Sequence, residues 1–264
     1  MFTRFSFLLL ILSLFTAISG CSSTSEEDDT VDMSPEEIYT EAKTRLDENE
    51  YQSAIRYYEV LQSRYPYGSY SEQAQLDIIY AYYKFDEPES AILAAERFIK
   101  LHPNHQRVEY AYYMRALASD SADPNIIYRL FSQDPSERDP KAARRAFGFY
   151  KELIRKFPDS RYANGSINSM HRIRDSLAQY QFWVTDFYIQ RKAYVAAANR
   201  AKFIIENFQG TPIVPDAMAA MITAYLNLKL DDLAQDTFKV LELNYPDHDA
   251  TESAKELIED MKAG

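Results

Sequence analysis

Few side chains here could do covalent or metal chemistry, and the most telling is Cys21, the one cysteine in 264 residues. It follows Ile18-Ser19-Gly20 at the end of an apolar leader. Arg4 supplies a short positive n-region, Phe5 to Ile18 an apolar h-region, and small residues precede the cut, as a secretory signal requires. A thiol at that point reads as a lipid attachment site. No charge occurs from Phe5 to Ser25, so the stretch could also just span a bilayer as an uncleaved anchor. The pair Ser19-Gly20 directly before the cysteine argues for cleavage. An exported chain with one thiol has no disulfide within itself, so packing alone must stabilise the fold.

Other reactive groupings are sparse. His102 and His105 could chelate a metal, but they flank Pro103 in a turn without acidic or sulfur neighbours, which makes them structural. No Gly-rich phosphate loop, G-x-S-x-G or H-E-x-x-H is present, so no catalysis, metal or cofactor is expected. The net charge is −11, and one unit more negative once the leader's arginine is gone; such a surface repels nucleic acid. Ile18-Ser19-Gly20-Cys21 resembles the lipobox of bacterial lipoproteins, whose cysteine becomes the lipidated N-terminus. That resemblance implies firm anchoring by several acyl chains. Ser22, where an aspartate would favour inner-membrane retention, implies the outer membrane.

The elements that would position any binding surface form a repeat. Ala54, Tyr58, Leu61 and Pro66 stand at offsets 0, 4, 7 and 12; the pattern returns as Ala91, Ala95, Phe98, Pro103 and as Ala146, Tyr150, Leu153, Pro158. A fourth copy is Ala197, Ala201, Ile204 with Gln209 in the proline slot, and a fifth Ala234, Phe238, Leu241, Pro246. Each is a helix face followed by a stop, matching the second helix of a tetratricopeptide repeat. Only six glycines occur, which favours a helical body. The expected fold is an all-α, right-handed solenoid of five tetratricopeptide helix pairs.

Residues 1–20 read as signal peptide and 21–33 as a flexible acidic tether, since Ser22 to Val31 holds almost nothing apolar. Ser34, Pro35 and Glu37 form a capping box that starts the body. Repeats 1–3 occupy 34–160. Slot spacings of 37, 55, 51 and 37 mark two insertions. One, from Asp120 to Asp139, is punctuated by Asp-Pro pairs around Ile126 to Phe131, predicting a loop with a short helix, after which Asp139-Pro140 caps the next helix. The other predicts an uninterrupted helix of roughly 45 Å from about Arg161 to Gln190, with Gly165 a mild weakness. It opens the second half, 161–264, and joins repeats 4 and 5 to the rest.

Tyrosine is over-abundant, at 21 residues, and many lie in first helices, which line the concave face of such a solenoid. Counting back from the slots puts Tyr39, Lys43, Gln73, Leu76, Tyr80, Tyr83, Tyr110, Tyr113 and Leu117 on that face. Tyrosine offers large apolar area at low entropy cost with a hydroxyl to spare. The expectation is a groove for an extended, aromatic-bearing peptide; the alternative is that the rings fill gaps between helices.

Arg64-Tyr65-Pro66-Tyr67-Gly68 through Tyr80-Ala81-Tyr82-Tyr83-Lys84, together with Arg138-Asp139-Pro140, resembles the BamD family, the tetratricopeptide lipoproteins of the outer-membrane β-barrel assembly machinery. The likeness covers the mature chain and is weakest from Asp216 to Lys262. It implies a non-enzymatic scaffold anchored at the outer membrane of a Gram-negative bacterium and facing the periplasm. Its partners would be the periplasmic domains of BamA, accessory lipoproteins of the complex, and unfolded β-barrel proteins whose C-terminal targeting segments enter repeats 1–3. Asn199 and Arg200 match the family where the second half docks BamA, with Arg200 in a charge-paired contact; its alternative is an arginine snorkelling on an exposed helix. Two other readings remain open: a different periplasmic tetratricopeptide lipoprotein adaptor, for pilus-secretin or cell-wall assembly, and an enzyme on a helical scaffold.

Overall fold

The computed structural model describes residues 29–121 and 140–263. Cys21, the signal segment and most of the Asp120–Asp139 insertion, including the expected helix at Ile126 to Phe131, lie outside them, as does Asp139. Among the described residues there are eleven helices and no strand. They pair as α1 (Pro35–Asp47) with α2 (Tyr51–Arg64), α3 (Ser69–Lys84) with α4 (Pro88–Leu101), α5 (Val108–Ser121) with α6 (Lys141–Lys156), α7 (Ala163–Gln190) with α8 (Tyr194–Asn207), and α9 (Val214–Asn227) with α10 (Asp231–Asn244). A final α11 (Asp249–Ala263) packs on α9 and covers the last pair.

The repeat is physical as well as statistical. Thirteen of the fourteen aligned small and apolar residues other than Phe238 and the slots are wholly buried, and Tyr150 is 1% exposed. Phe238 is half-buried because only α11 lies beyond it. The turn inside four pairs is identical: Asn49, Asp86, Lys192 and Lys229 each adopt a left-handed conformation, with φ of 64°, 62°, 58° and 61°. The following amide then bonds the carbonyl five residues back, as in Glu50 N to Arg45 O and Ala193 N to Tyr188 O, giving a Schellman motif without glycine. In the third pair the insertion stands where this turn would be.

The connections between pairs repeat too. His102 to Val108, Phe157 to Ala163, Phe208 to Val214 and Tyr245 to Thr251 each carry two successive three-residue backbone turns. The first connection is the exception: it runs through Pro66 and Gly68, whose φ of 105° needs glycine, and leaves Tyr67 91% exposed.

Ser34 Oγ accepts from Glu37 N and the Glu37 carboxylate accepts from Ser34 N, the expected capping box, with Pro35 at the first helical position. The tether ends earlier than its composition implies. Thr30 is fully buried, Arg64 bonds its carbonyl and hydroxyl oxygens, Asp29 pairs with Arg56 and accepts from Tyr57, and Tyr65 bonds the Met33 carbonyl. Asp29 to Met33 are thus clasped on α2 because two arginines and two tyrosines there supply donors that a polar turn can satisfy. Pro140 itself caps α6, without a side-chain bond.

Helix α7 runs 28 residues unbroken. First helices pack against the first helices of the next pair, α1 with α3, α3 with α5, α7 with α9 and α9 with α11, whereas successive second helices stand farther apart among the described residues and reach one another through long side chains, as in the Arg145–Glu89 ion pair between α6 and α4. In a curved stack the row that meets itself is the inner one, so the first helices form the concave wall. Between pairs three and four the wall is bridged by Tyr162, which caps the start of α7.

Candidate functional site

On the inner wall a continuous set of rings and polar groups crosses four helices. Tyr39 on α1 donates its hydroxyl to Asp77 Oδ2 on α3 at 2.9 Å, and its ring lies 5.6 Å from that of Tyr70. Gln73, one turn before Asp77, donates to Asp77 Oδ1 at 2.8 Å and accepts from Arg107 Nη1 at 2.9 Å. The Arg107 guanidinium sits 5.5 Å from the centre of the Tyr110 ring. Tyr110 lies 6.1 Å from Tyr162, which stacks on Tyr113 at 4.5 Å with 11° between planes. Arg161 closes the row, its guanidinium 4.8 Å from the Tyr162 ring.

Burial sets the electrostatics. It pushes the Asp77 carboxyl above its ordinary value, although hydrogen bonds from Tyr39 and Gln73 and the charge of Arg107 pull the other way. Burial, then the Asp77 charge, raises the phenols of Tyr39 and Tyr110, so both stay protonated and act as donors. Burial raises Tyr113 as well. Phenols held this way cannot serve as bases near neutral pH. The wall is equipped to hold a chain by ring contact and hydrogen bonds.

The sequence-derived residues divide. Tyr39, Gln73, Tyr110 and Tyr113 join the network; Tyr80 is 38% exposed, and Tyr83 and Leu117 are half-buried against the core beneath. Lys43 pairs with Asp47 on its own helix, and its charge lies within electrostatic reach of Asp77. Leu76 is a correction: it is wholly buried against the second core cluster with Ile79 and Phe98, and Asp77, one residue along, stands in its place on the wall between Gln73 and Tyr80. Asp77, Arg107, Tyr70, Tyr162 and Arg161 were not singled out. The available signal was a carboxylate at Gln73 + 4 amid Leu76, Ile78 and Ile79.

The histidine pair is accounted for by packing: His102 Nε2 lies 3.2 Å from Gln75 Oε1, His105 Nδ1 accepts from Arg107 N, and both rings lie on Phe98. No cluster of three or more His, Cys, Asp or Glu suited to a metal occurs among the described residues, and no helix there is long and apolar enough to cross a membrane. Two clefts of about 490 and 630 Å³ open on the other side, between α2, α3 and α4, meeting at Glu59, Tyr82 and Ser90.

In the second half, Arg200 on α8 is half-buried and donates to Gln181 Oε1 of α7 at 2.9 Å. It ties two helices together and does not extend freely into solvent. Asn199 is exposed, midway between Val195 and Phe203, which are 61% and 41% exposed. The three share one helix face by their spacing of four.

Fold and wall together define a helical-repeat protein of the tetratricopeptide class, with its ring-bearing side turned inward. Residues 31–241 match the family model described as YfiO, outer membrane lipoprotein. The outer membrane protein assembly factor BamD of Neisseria gonorrhoeae is 42% identical over 243 residues, covering 90% of this chain and 91% of that protein. Its namesake in Vibrio cholerae is 37% identical, covering 89% and 96%. This chain belongs to the YfiO family of outer membrane lipoproteins, among whose members are outer-membrane protein assembly factors.

Proposed function

We propose that this protein is the non-catalytic lipoprotein scaffold of its cell's outer-membrane protein assembly machinery. In this reading the inner wall of repeats 1–3 receives the C-terminal targeting segments of unfolded β-barrel proteins. The second half docks the periplasmic domains of BamA, with accessory lipoproteins of the complex alongside. Lipidated Cys21 holds the solenoid to the periplasmic face of the outer membrane, which raises the effective concentration of groove and partner for one another.

The observation that carries the reading is the ring row from Tyr39 and Tyr70 through Tyr110 to Tyr113 and Tyr162, interleaved with donors that stay protonated. An extended chain presents backbone carbonyls and alternate side chains to such a wall, and rigid rings hold it at small entropic cost. Docking is supported by the exposed line Val195, Asn199 and Phe203 on α8. The Arg200–Gln181 bond connects that helix to α7, whose other end begins beside Tyr162, so one rigid element would join docking surface to groove.

A photo-crosslinking residue at Tyr80 or Tyr113 should capture an unfolded porin, while the same residue at Leu93, on the outer side, should not. Equal capture at all three positions would remove the groove from the account.

A further inference from the structure

The register that aligns the buried faces of the five second helices also aligns their outward faces. On α6 that outward face is Arg144, Gly148, Lys151 and Arg155, all exposed and spaced four, three and four residues apart, which keeps them in one line. In each of the other second helices the same four positions include an acid: Glu59 on α2, Glu89 and Glu96 on α4, Glu206 on α8, Asp232 and Asp236 on α10. On α6 they include none. In a chain of net charge −11 this helix carries six basic residues and one acid, Glu152. Glu152 and the acids of neighbouring α4 are already engaged: Arg115 bonds Glu152 and lies near Glu96, and Arg145 pairs with Glu89. Like charges one turn apart oppose the helix that carries them, so the line costs stability unless an anion meets it. Nothing lies within 4 Å of where a Cβ of Gly148 would stand, so the cations flank an open notch. The chain leaves the solenoid on this same outer side, since Asp29 pairs with Arg56, the α2 counterpart of Gly148. Cys21 precedes Asp29 by eight residues, which reach at most about 29 Å when fully extended.

We propose that Arg144, Lys151 and Arg155 dock the solenoid on anionic phospholipid headgroups of the membrane that holds Cys21. This rests on the reading of Cys21 as a lipid anchor and adds which face of the protein meets the bilayer. The three cations span about 16 Å along the helix, enough to meet several phosphates at once. Guanidinium forks pair with phosphate oxygens bidentately, and the lysine acts as a point charge between them. The short link to the anchor selects a lipid surface over an acidic protein segment, because it keeps headgroups within reach of the outer row at high effective concentration. Each cation beside an anionic bilayer strengthens the contact roughly fivefold.

The test places a fluorophore at Gly148→Cys, the one reactive thiol once Cys21 is lipidated. The mature lipidated protein is reconstituted in phosphatidylcholine vesicles, with or without a third of phosphatidylglycerol, each carrying a headgroup-borne quencher. Quenching should be roughly fivefold stronger in the anionic vesicles and should fall to the neutral level in high salt. It should fall likewise in Arg144→Gln/Lys151→Gln/Arg155→Gln, whose circular dichroism spectrum should be unchanged. The same label at Asp236→Cys, the equivalent position on α10, should respond to neither lipid nor salt. Equal quenching in the two vesicles, or quenching that survives loss of the three cations, overturns the assignment and leaves the anchor intact, since the protein still floats with both. Shielding of the label by added partner proteins and not by lipid gives the face to an acidic protein segment and overturns it as well. If the protein floats with neither vesicle, the anchor reading fails, and this assignment with it.

Discussion

Arg115 is the test of how the wall is held. It is 7% exposed, bonds Glu152 of α6 at 2.6 Å, lies 3.9 Å from Glu96 of α4, and spreads over the rings of Phe149 and Tyr112 at 4.2 and 5.1 Å. One side chain therefore registers α4, α5 and α6 behind Tyr110 and Tyr113. Removing one partner of a fully buried ion pair costs about 3–5 kcal/mol. Here the Glu152 side chain is 31% exposed and Lys156 approaches it at 3.4 Å, which lowers the electrostatic loss to about 2 kcal/mol. The lost stem contacts add about 1 kcal/mol, roughly one buried methylene's worth. Arg115→Ala should therefore lose about 3 kcal/mol, a fall in melting midpoint of roughly 6–12 °C for a chain this size. Arg115→Met keeps the stem and should lose about 2 kcal/mol. Thermal melts followed by circular dichroism, with a double-mutant cycle against Glu152→Gln, would measure both loss and coupling. A midpoint for Arg115→Ala within about 1 °C of wild type would refute the reasoning, since ~0.5 kcal/mol is what a surface site gives.

Lys192→Gly relieves a side chain from its left-handed turn and should raise stability by about 0.5–1 kcal/mol in urea unfolding; a loss would mean the turn is not strained. Because the Asp77 carboxyl is held above its ordinary value, the fold favours its protonated form, and that stability is lost as pH rises through the folded pKa. The melting midpoint of Asp77→Asn relative to wild type should therefore climb from acid to neutral pH, and the opposite trend would contradict the burial argument. Asp29 behaves in the reverse sense: bonds from Tyr57, then Arg56, lower it, so the clasp holds at neutral pH and loosens as pH falls through its folded pKa. Amide protection factors from Thr30 to Met33, corrected for the intrinsic pH dependence of exchange, should fall in acid, and at neutral pH in Arg64→Ala; unchanged protection in that variant would mean the clasp does not hold the segment.

What the sequence made legible follows from periodicity. The slots at Ala54, Tyr58 and Leu61 and their copies are buried because a small residue lets the paired helix approach while larger ones fill the space above and below it. The same spacing left no room for doubt about the unbroken α7. The inner wall was legible as a face but not to the residue. A count from the proline slots fixes rotation about a helix only to within one position, which was enough to exchange buried Leu76 for Asp77. Arg107, Arg161 and Tyr162 were invisible for a different reason: they lie in connections between pairs, where no helical period applies, and only the fold brings them to the rings. The clasp at Thr30 was hidden because its partners, Arg56, Tyr57 and Arg64, are distant in sequence and a polar turn has no apolar pattern to betray burial. Helix α11 lacks a proline slot, so the repeat could not announce it.

The central claim is that this solenoid works as a member of the outer-membrane assembly machinery, and affinity purification tests it most directly. Tagged protein taken from outer membranes in mild detergent should bring down, in near-equal amount, a large barrel protein with repeated periplasmic domains, identified by mass spectrometry. Recovery of a secretin or a cell-wall enzyme without that barrel protein would contradict the account.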